Sequence, residues 1–218
     1  ITVELDGLLR REEDAFPRAA RALAAELRGL LDLKEGDAVL VAGLGNRAIT
    51  PDGIGPKAAD YTLVTRHLVE QVPEQFGAFR PVSALAAGVL GTTGMESGEL
   101  ISAVVEKTRP ACVLAVDALA SRSLRRVGRT VQLSDTGIVP GSGVGNHRMA
   151  LNRETLGVPV IAIGVPTVVD AATLACDLLS EAGREDLDPA ALSGAGENLI
   201  VTPREVDTQV GDLAKVIG

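Results

Sequence analysis

The sequence predicts an α/β protein, a three-layer α/β/α sandwich around a mostly parallel sheet. Short, continuously apolar runs rich in β-branched residues recur along the chain, as expected of strands covered on both faces. Between them stand segments whose apolar residues fall three and four positions apart, the spacing of a helix with one buried face. Strands separated by helices in this way imply right-handed βαβ units.

In chain order, Phe16, Ala19, Ala20, Leu23, Leu27, Leu30 and Leu31 mark an amphipathic helix over 16–31, which Leu33-Lys34-Glu35-Gly36-Asp37 ends. The run 38–42 is apolar throughout and reads as a buried strand. A helix over about 56–71, a strand at 82–85, a helix at 97–107 and a strand at 112–116 follow. Strands at 130–133 and 159–163, a helix over about 168–182, a strand at 199–202 and a last helix from Pro203 complete the alternation. The stretch 135–157 breaks it, with Gly137, Gly141, Gly143, Gly145 and Gly157 at no regular period, and a loop of that length is functional or disordered.

With 218 residues, 46% of them apolar, the chain is long enough to form a single domain over 1–218 with a sizeable core. Lys plus Arg total 21 against 29 Asp plus Glu, a net charge of −8, and no basic cluster is present to follow a phosphate backbone. The aromatics are Phe16, Phe76, Phe79 and Tyr61, too few for base-stacking platforms, so no nucleic-acid partner is expected. No run approaches the roughly 18 to 20 apolar residues that span a bilayer, and the start carries no signal pattern, so a cytoplasmic protein with no membrane partner is expected. Cys112 and Cys176 have no CxxC companion and no His at ligand spacing, and read as buried free thiols in a reducing compartment. Gly141-Ser142-Gly143-Val144-Gly145 fits neither the dinucleotide nor the P-loop spacing, so no nucleotide and no other cofactor is expected.

Two acids stand out. Val39-Leu40-Val41-Ala42-Gly43-Leu44-Gly45-Asn46 leads into Thr50-Pro51-Asp52-Gly53, and Cys112-Val113-Leu114-Ala115-Val116 leads straight into Asp117. In an open α/β sheet, residues just past the carboxyl ends of parallel strands share one edge, where ligands bind. Thr50-Pro51-Asp52-Gly53 is by itself also a good β-turn, and Asp117 could be an Asx turn or a helix cap. A carboxylate so close to a strand is nevertheless costly to leave charged and unsatisfied. Together the two would form an acid/base pair.

Other motifs are weaker. Asp135-Thr136-Gly137 repeats the word of pepsin-like proteases, but it occurs once and in an α/β pattern, so a turn is the better reading. Gly88 to Glu96 is a glycine-rich turn before a helix, with Thr93 and Glu96 spaced as a capping box and backbone N–H groups able to hold a substrate carbonyl. Thr92 and Thr93 in this turn, and Gly141, Ser142, His147 and Arg148 in the second glycine-rich stretch, are the substrate-binding candidates. His67 reads as a helix-surface residue, and Asp170 as a charge favoured at a helix start.

Val41-Ala42-Gly43-Leu44-Gly45-Asn46 with Thr50-Pro51-Asp52, Gly88-Val89-Leu90-Gly91-Thr92-Thr93-Gly94, Ala115-Val116-Asp117-Ala118-Leu119-Ala120-Ser121-Arg122-Ser123, and Ser134-Asp135-Thr136-Gly137-Ile138-Val139-Pro140-Gly141-Ser142-Gly143-Val144-Gly145-Asn146 followed by 154–170 resemble the germination protease family of spore-forming bacteria. The likeness runs the length of the chain. It implies an endopeptidase of atypical aspartic type that cleaves small acid-soluble spore proteins during germination, made as a self-processing zymogen and assembled as a homotetramer in the spore cytoplasm. It implies Asp52 and Asp117 as the catalytic aspartates, and because close like charges force their pKa values apart, one would be ionised as general base on a water and the other protonated on the scissile amide. The implied fold is shared with hydrogenase-maturation peptidases, in which carboxylates and a His bind a divalent ion. A metal-dependent version, with His147 as the loop ligand, and an inactive form that still grips substrate are therefore alternatives. The resemblance also places a propeptide before Ile1, a longer 183–197 region and more helix after Gly218, so that 1–218 is expected to be the peptidase domain without them. Cleavage after acidic residues, which it suggests, needs a basic pocket, with Arg148 and Arg122 as candidates.

Overall fold

The computed structural model describes residues 1–141, 148–184 and 199–218. Strands β1 (Thr2–Glu4), β2 (Val39–Leu44), β3 (Val82–Gly88), β4 (Cys112–Ser121), β5 (Thr130–Ser134), β6 (Val160–Asp170) and β7 (Ile200–Val201) form one sheet. Its order is β1-β5-β6-β4-β2-β3, with β7 pairing to β6 off that path. The central strands β6, β4, β2 and β3 are parallel, as expected. On the outer side of β6 the sheet turns antiparallel, through β5, β1 and β7. The link from β4 to β5 explains part of this. It is short and holds a single 3₁₀ turn, Leu124–Arg126, whereas a parallel return needs a crossover of about a dozen residues or more.

Alternation along the strands sends side chains to two helical layers. Val41, Val116, Val131, Leu133, Ile163 and Val165 face α2 (Ala15–Leu30), α3 (Ile54–Tyr61) and α10 (Val206–Ile217), meeting Leu23, Ile54, Ala58, Val210 and Leu213. Leu40, Ala42, Leu44, Val113, Ala115 and Val160 face the opposite layer, where α7 (Ser97–Thr108) contributes Ile101 and Val105 and α8 (Arg153–Leu156) contributes Leu156. The three-layer sandwich is therefore built from small aliphatic side chains.

Several elements depart from expectation. The helix over 56–71 is two helices, α3 and α4 (Arg66–Gln71), because Thr62 takes an extended backbone and Thr65 is tied to a strand distant in sequence. Thr62 donates to the Ala58 carbonyl at 2.9 Å, while buried Thr65 accepts the Val82 N–H at 2.9 Å and so ties the link to β3. α1 (Asp6–Leu9), α5 (Pro73–Phe76) and α6 (Leu90–Thr93) are single turns too short to show a period, as is β1. β4 runs past 116 to Ser121, and β6 runs past 163 to Asp170, so α9 (Ala171–Glu181) starts later than the expected 168. The β-branched run Val165 to Val169 favours the strand, and Asp170 then caps α9 by accepting the Thr173 N–H at 2.8 Å. The region 183–197 lies mostly outside the described residues. Among the described residues no helix is long and apolar enough to cross a membrane.

Candidate active site

β2 ends at Leu44, and the chain reverses at Gly45, whose φ of 105° is open to glycine. A Cβ there would fall on the Asp52 carbonyl oxygen and stand 3.0 Å from the Asp52 Oδ1, so the absence of a side chain lets the Asp52 turn fold back onto the strand end. Asn46 then donates its backbone N–H to Asp52 Oδ2 at 2.7 Å, and its side-chain Oδ1 accepts the Ala48 N–H at 3.0 Å. Pro51 suits the 3₁₀ turn Thr50–Asp52 that presents the carboxylate. The turn rests against β4, β6 and α10.

Asp117 lies inside β4, opposite Gly164 of β6, rather than at a strand end. Its position is special for another reason. β4 pairs with β2 as far as Val116 and Gly43, where β2 shifts register and continues with β3 alone. Asp117 is thus the first residue beyond the split, and it shares one groove with the Asp52 turn. It is 6% exposed and accepts the Ala118 N–H at 2.9 Å.

This burial, followed by the nearby charge of Asp52, pushes the Asp117 carboxyl up to about 7, against the pull of the Ala118 N–H and the Arg148 guanidinium. Asp52 is also raised by burial, while the Asn46 N–H and Arg148 work the other way. The two carboxyls line one groove of about 700 Å³, together with Leu119, Arg122, Gly141 and Thr167.

The remaining candidates are distributed as follows. Arg148 is half-buried, acts electrostatically on both aspartates and stands 3.9 Å from Glu96. Arg122 and Gly141 line the groove, whereas Ser142 and His147 lie outside the described residues. Thr92 lines a separate hollow of about 430 Å³ beside Asn46 and Gly88. Its hydroxyl donates to the Val89 carbonyl at 2.9 Å, and that of Thr93 bonds the Met95 carbonyl at 2.9 Å. The capping box joins Glu96 and Glu99, the Glu96 N–H meeting Glu99 Oε2 at 2.9 Å, rather than Thr93 and Glu96 as the spacing suggested. Asp135-Thr136-Gly137 is a turn, with the Thr136 N–H on Ser134 Oγ at 3.2 Å and Gly137 at φ 80°. His67 is exposed on α4.

Cys112 is buried, with its thiol pushed up to about 11 by burial, but Cys176 on α9 is half-buried because that helix places no residue fully in the core. Among the described residues no group of three or more His, Cys, Asp and Glu is placed to hold a metal ion. Asn46 and Thr167 are the site residues that the sequence did not announce. Asn46 acts through a backbone N–H that every residue but proline owns, and Thr167 has no motif of its own.

The germination protease family model matches residues 1–185. The chain belongs to the germination protease family. The germination protease of Caldanaerobacter subterraneus subsp. tengcongensis is 45% identical across the whole chain, which spans 75% of that relative. That of Clostridium perfringens strain SM101 is 43% identical, with 74% of the relative spanned, and that of Halalkalibacterium halodurans 40%, again with 74% spanned. Among solved structures, the NiFe hydrogenase maturation protease HycI from Thermococcus kodakarensis KOD1 aligns with 88% of this chain and 95% of its own, at a TM-score of 0.47 and 19% identity. As a germination protease the chain is a peptidase, a hydrolase of peptide bonds.

Proposed function

We propose that this germination protease is an endopeptidase of atypical aspartic type that starts the breakdown of small acid-soluble spore proteins, with Asp52 and Asp117 acting as one acid/base pair on a water molecule. The observation that carries this reading is the meeting of the two carboxyls in one groove, where burial and the Asp52 charge keep a proton on Asp117 near neutral pH. Carboxyls that act on each other electrostatically are described as a pair. Within the pair, Asp117 is the more buried and the natural proton holder, while the Asn46 N–H favours the ionised form of Asp52.

The chemistry follows from that division. Asp52 takes a proton from water as the water oxygen bonds to the scissile carbonyl carbon, and Asp117 gives its proton to the carbonyl oxygen. In the collapse, the proton on Asp52 passes to the leaving nitrogen, the C–N bond breaks, and Asp117 recovers its proton from the diol. Arg122 on the groove wall, in a chain of net charge −8, is a candidate to receive an acidic substrate side chain, with Arg148 at the dyad. The resemblance to the family further supports a homotetramer, a self-processed zymogen and a place in the spore cytoplasm.

The test is cleavage of a purified acid-soluble spore protein by Asp52→Asn and Asp117→Asn. Each is expected to lower kcat by about 100-fold or more while the protein stays folded. Near-normal turnover by either variant removes the pair from the mechanism.

A further inference from the structure

Thr167 is 2% exposed, and its hydroxyl oxygen is buried with no hydrogen-bond partner among the described residues. The residue nevertheless lines the groove that holds Asp52 and Asp117. The register of the sheet explains how it came to be there. Leu119 pairs with Pro166 and Ala120 with Val168, so Thr167 is the extra residue of a β-bulge in β6. A bulge takes its residue out of the ladder and re-aims the side chain.

Two carbonyls at the bulge have partners. The Thr167 carbonyl accepts the Thr202 hydroxyl at 2.9 Å, and the Pro166 carbonyl accepts the Gly128 N–H at 2.7 Å. The side-chain hydroxyl is the exception, and a buried group of that kind is disfavoured until it finds a partner. Valine has the same shape and at least as strong a preference for strands, so packing alone gives no reason for a hydroxyl at this position.

We propose that the Thr167 hydroxyl is a substrate-binding group that takes its hydrogen bond from the backbone of the peptide lying in the groove. This rests on the peptidase reading of that groove. Gly164 pairs with Asp117, and Thr167 follows three residues along the same strand. At about 3.3 Å per residue it stands about 10 Å along from the aspartates, within about three residues of the scissile bond of an extended peptide.

Thr167→Val and Thr167→Ser in the full-length protein, assayed on a purified small acid-soluble spore protein and by thermal melting, test this. Thr167→Val is expected to raise KM about 3- to 10-fold with kcat within about twofold, and to melt at the same temperature or higher. Thr167→Ser should restore KM to within about twofold of the unaltered protein. An unchanged KM in Thr167→Val, with cleavage intact, overturns the proposal and leaves the peptidase reading standing. A Thr167→Val that melts several degrees lower overturns it too, because the hydroxyl then has a partner in the free protein. Absence of cleavage by the unaltered protein overturns the peptidase reading and this proposal with it.

Discussion

Asp117→Asn is expected to change the pH dependence of stability as well as abolish turnover, and the size of the change follows from the burial of the carboxyl. The fold holds Asp117 at about 7 against an ordinary value of 3.8. Between those two values the folded chain keeps a proton that the unfolded chain has lost. Stability therefore falls as pH rises from about 4 to about 7 and levels off above. Each pH unit in that window is worth about 1.4 kcal/mol, so ionising Asp117 in place costs about 4 kcal/mol. About 3 kcal/mol of this develops between about pH 4.5 and pH 8, because the unfolded carboxyl is already mostly ionised at the lower end.

Asparagine keeps the shape and an oxygen to accept the Ala118 N–H, now made at 2.9 Å, but carries no charge. Urea unfolding at the two pH values should accordingly show the variant gaining about 3 kcal/mol over the unaltered protein on going to pH 8. A gain that stays below about 1 kcal/mol, or turns negative, would mean that Asp117 ionises in the fold without penalty. The proton donor of the mechanism would then be gone.

Two further substitutions probe the surroundings of the pair. Arg148 draws both carboxyls downward, so Arg148→Gln should raise them and move the alkaline limb of the rate profile to higher pH; an unmoved limb would place the guanidinium too far away to matter. Gly45→Ala puts a methyl group against the Asp52 carbonyl at a backbone angle that alanine resists, and should cost about 1 to 3 kcal/mol in thermal or urea unfolding with a marked loss of kcat. Wild-type stability and rate in that variant would show that the Asp52 turn is not held by the close approach at Gly45.

The sequence made the layered fold readable where periodicity was strong. α2 shows one apolar stripe, and β2 is apolar throughout because both of its faces are covered. It was less readable where tertiary pairing decides. Asp117 looks like the end of a strand because a carboxylate is expected to stop an apolar run, yet it sits within β4 at the point where β2 departs and leaves space for it. The break between α3 and α4 depends on Thr65 finding β3, a partner distant in sequence. Both aspartates could be singled out from their place after apolar runs. Of the groove around them, Arg122 and Gly141 stand in the motifs, whereas Thr167 and Ile200 join it through sheet register and a bulge that leave no periodic trace.

The most direct test of the account is the pH dependence of kcat for cleavage of an acid-soluble spore protein. Activity that needs Asp52 ionised and Asp117 protonated should rise on the acid side and fall away above about pH 7, where Asp117 loses its proton. A rate that continues to climb through about pH 9 would contradict the assignment of Asp117 as the acid, and with it the paired-carboxyl mechanism.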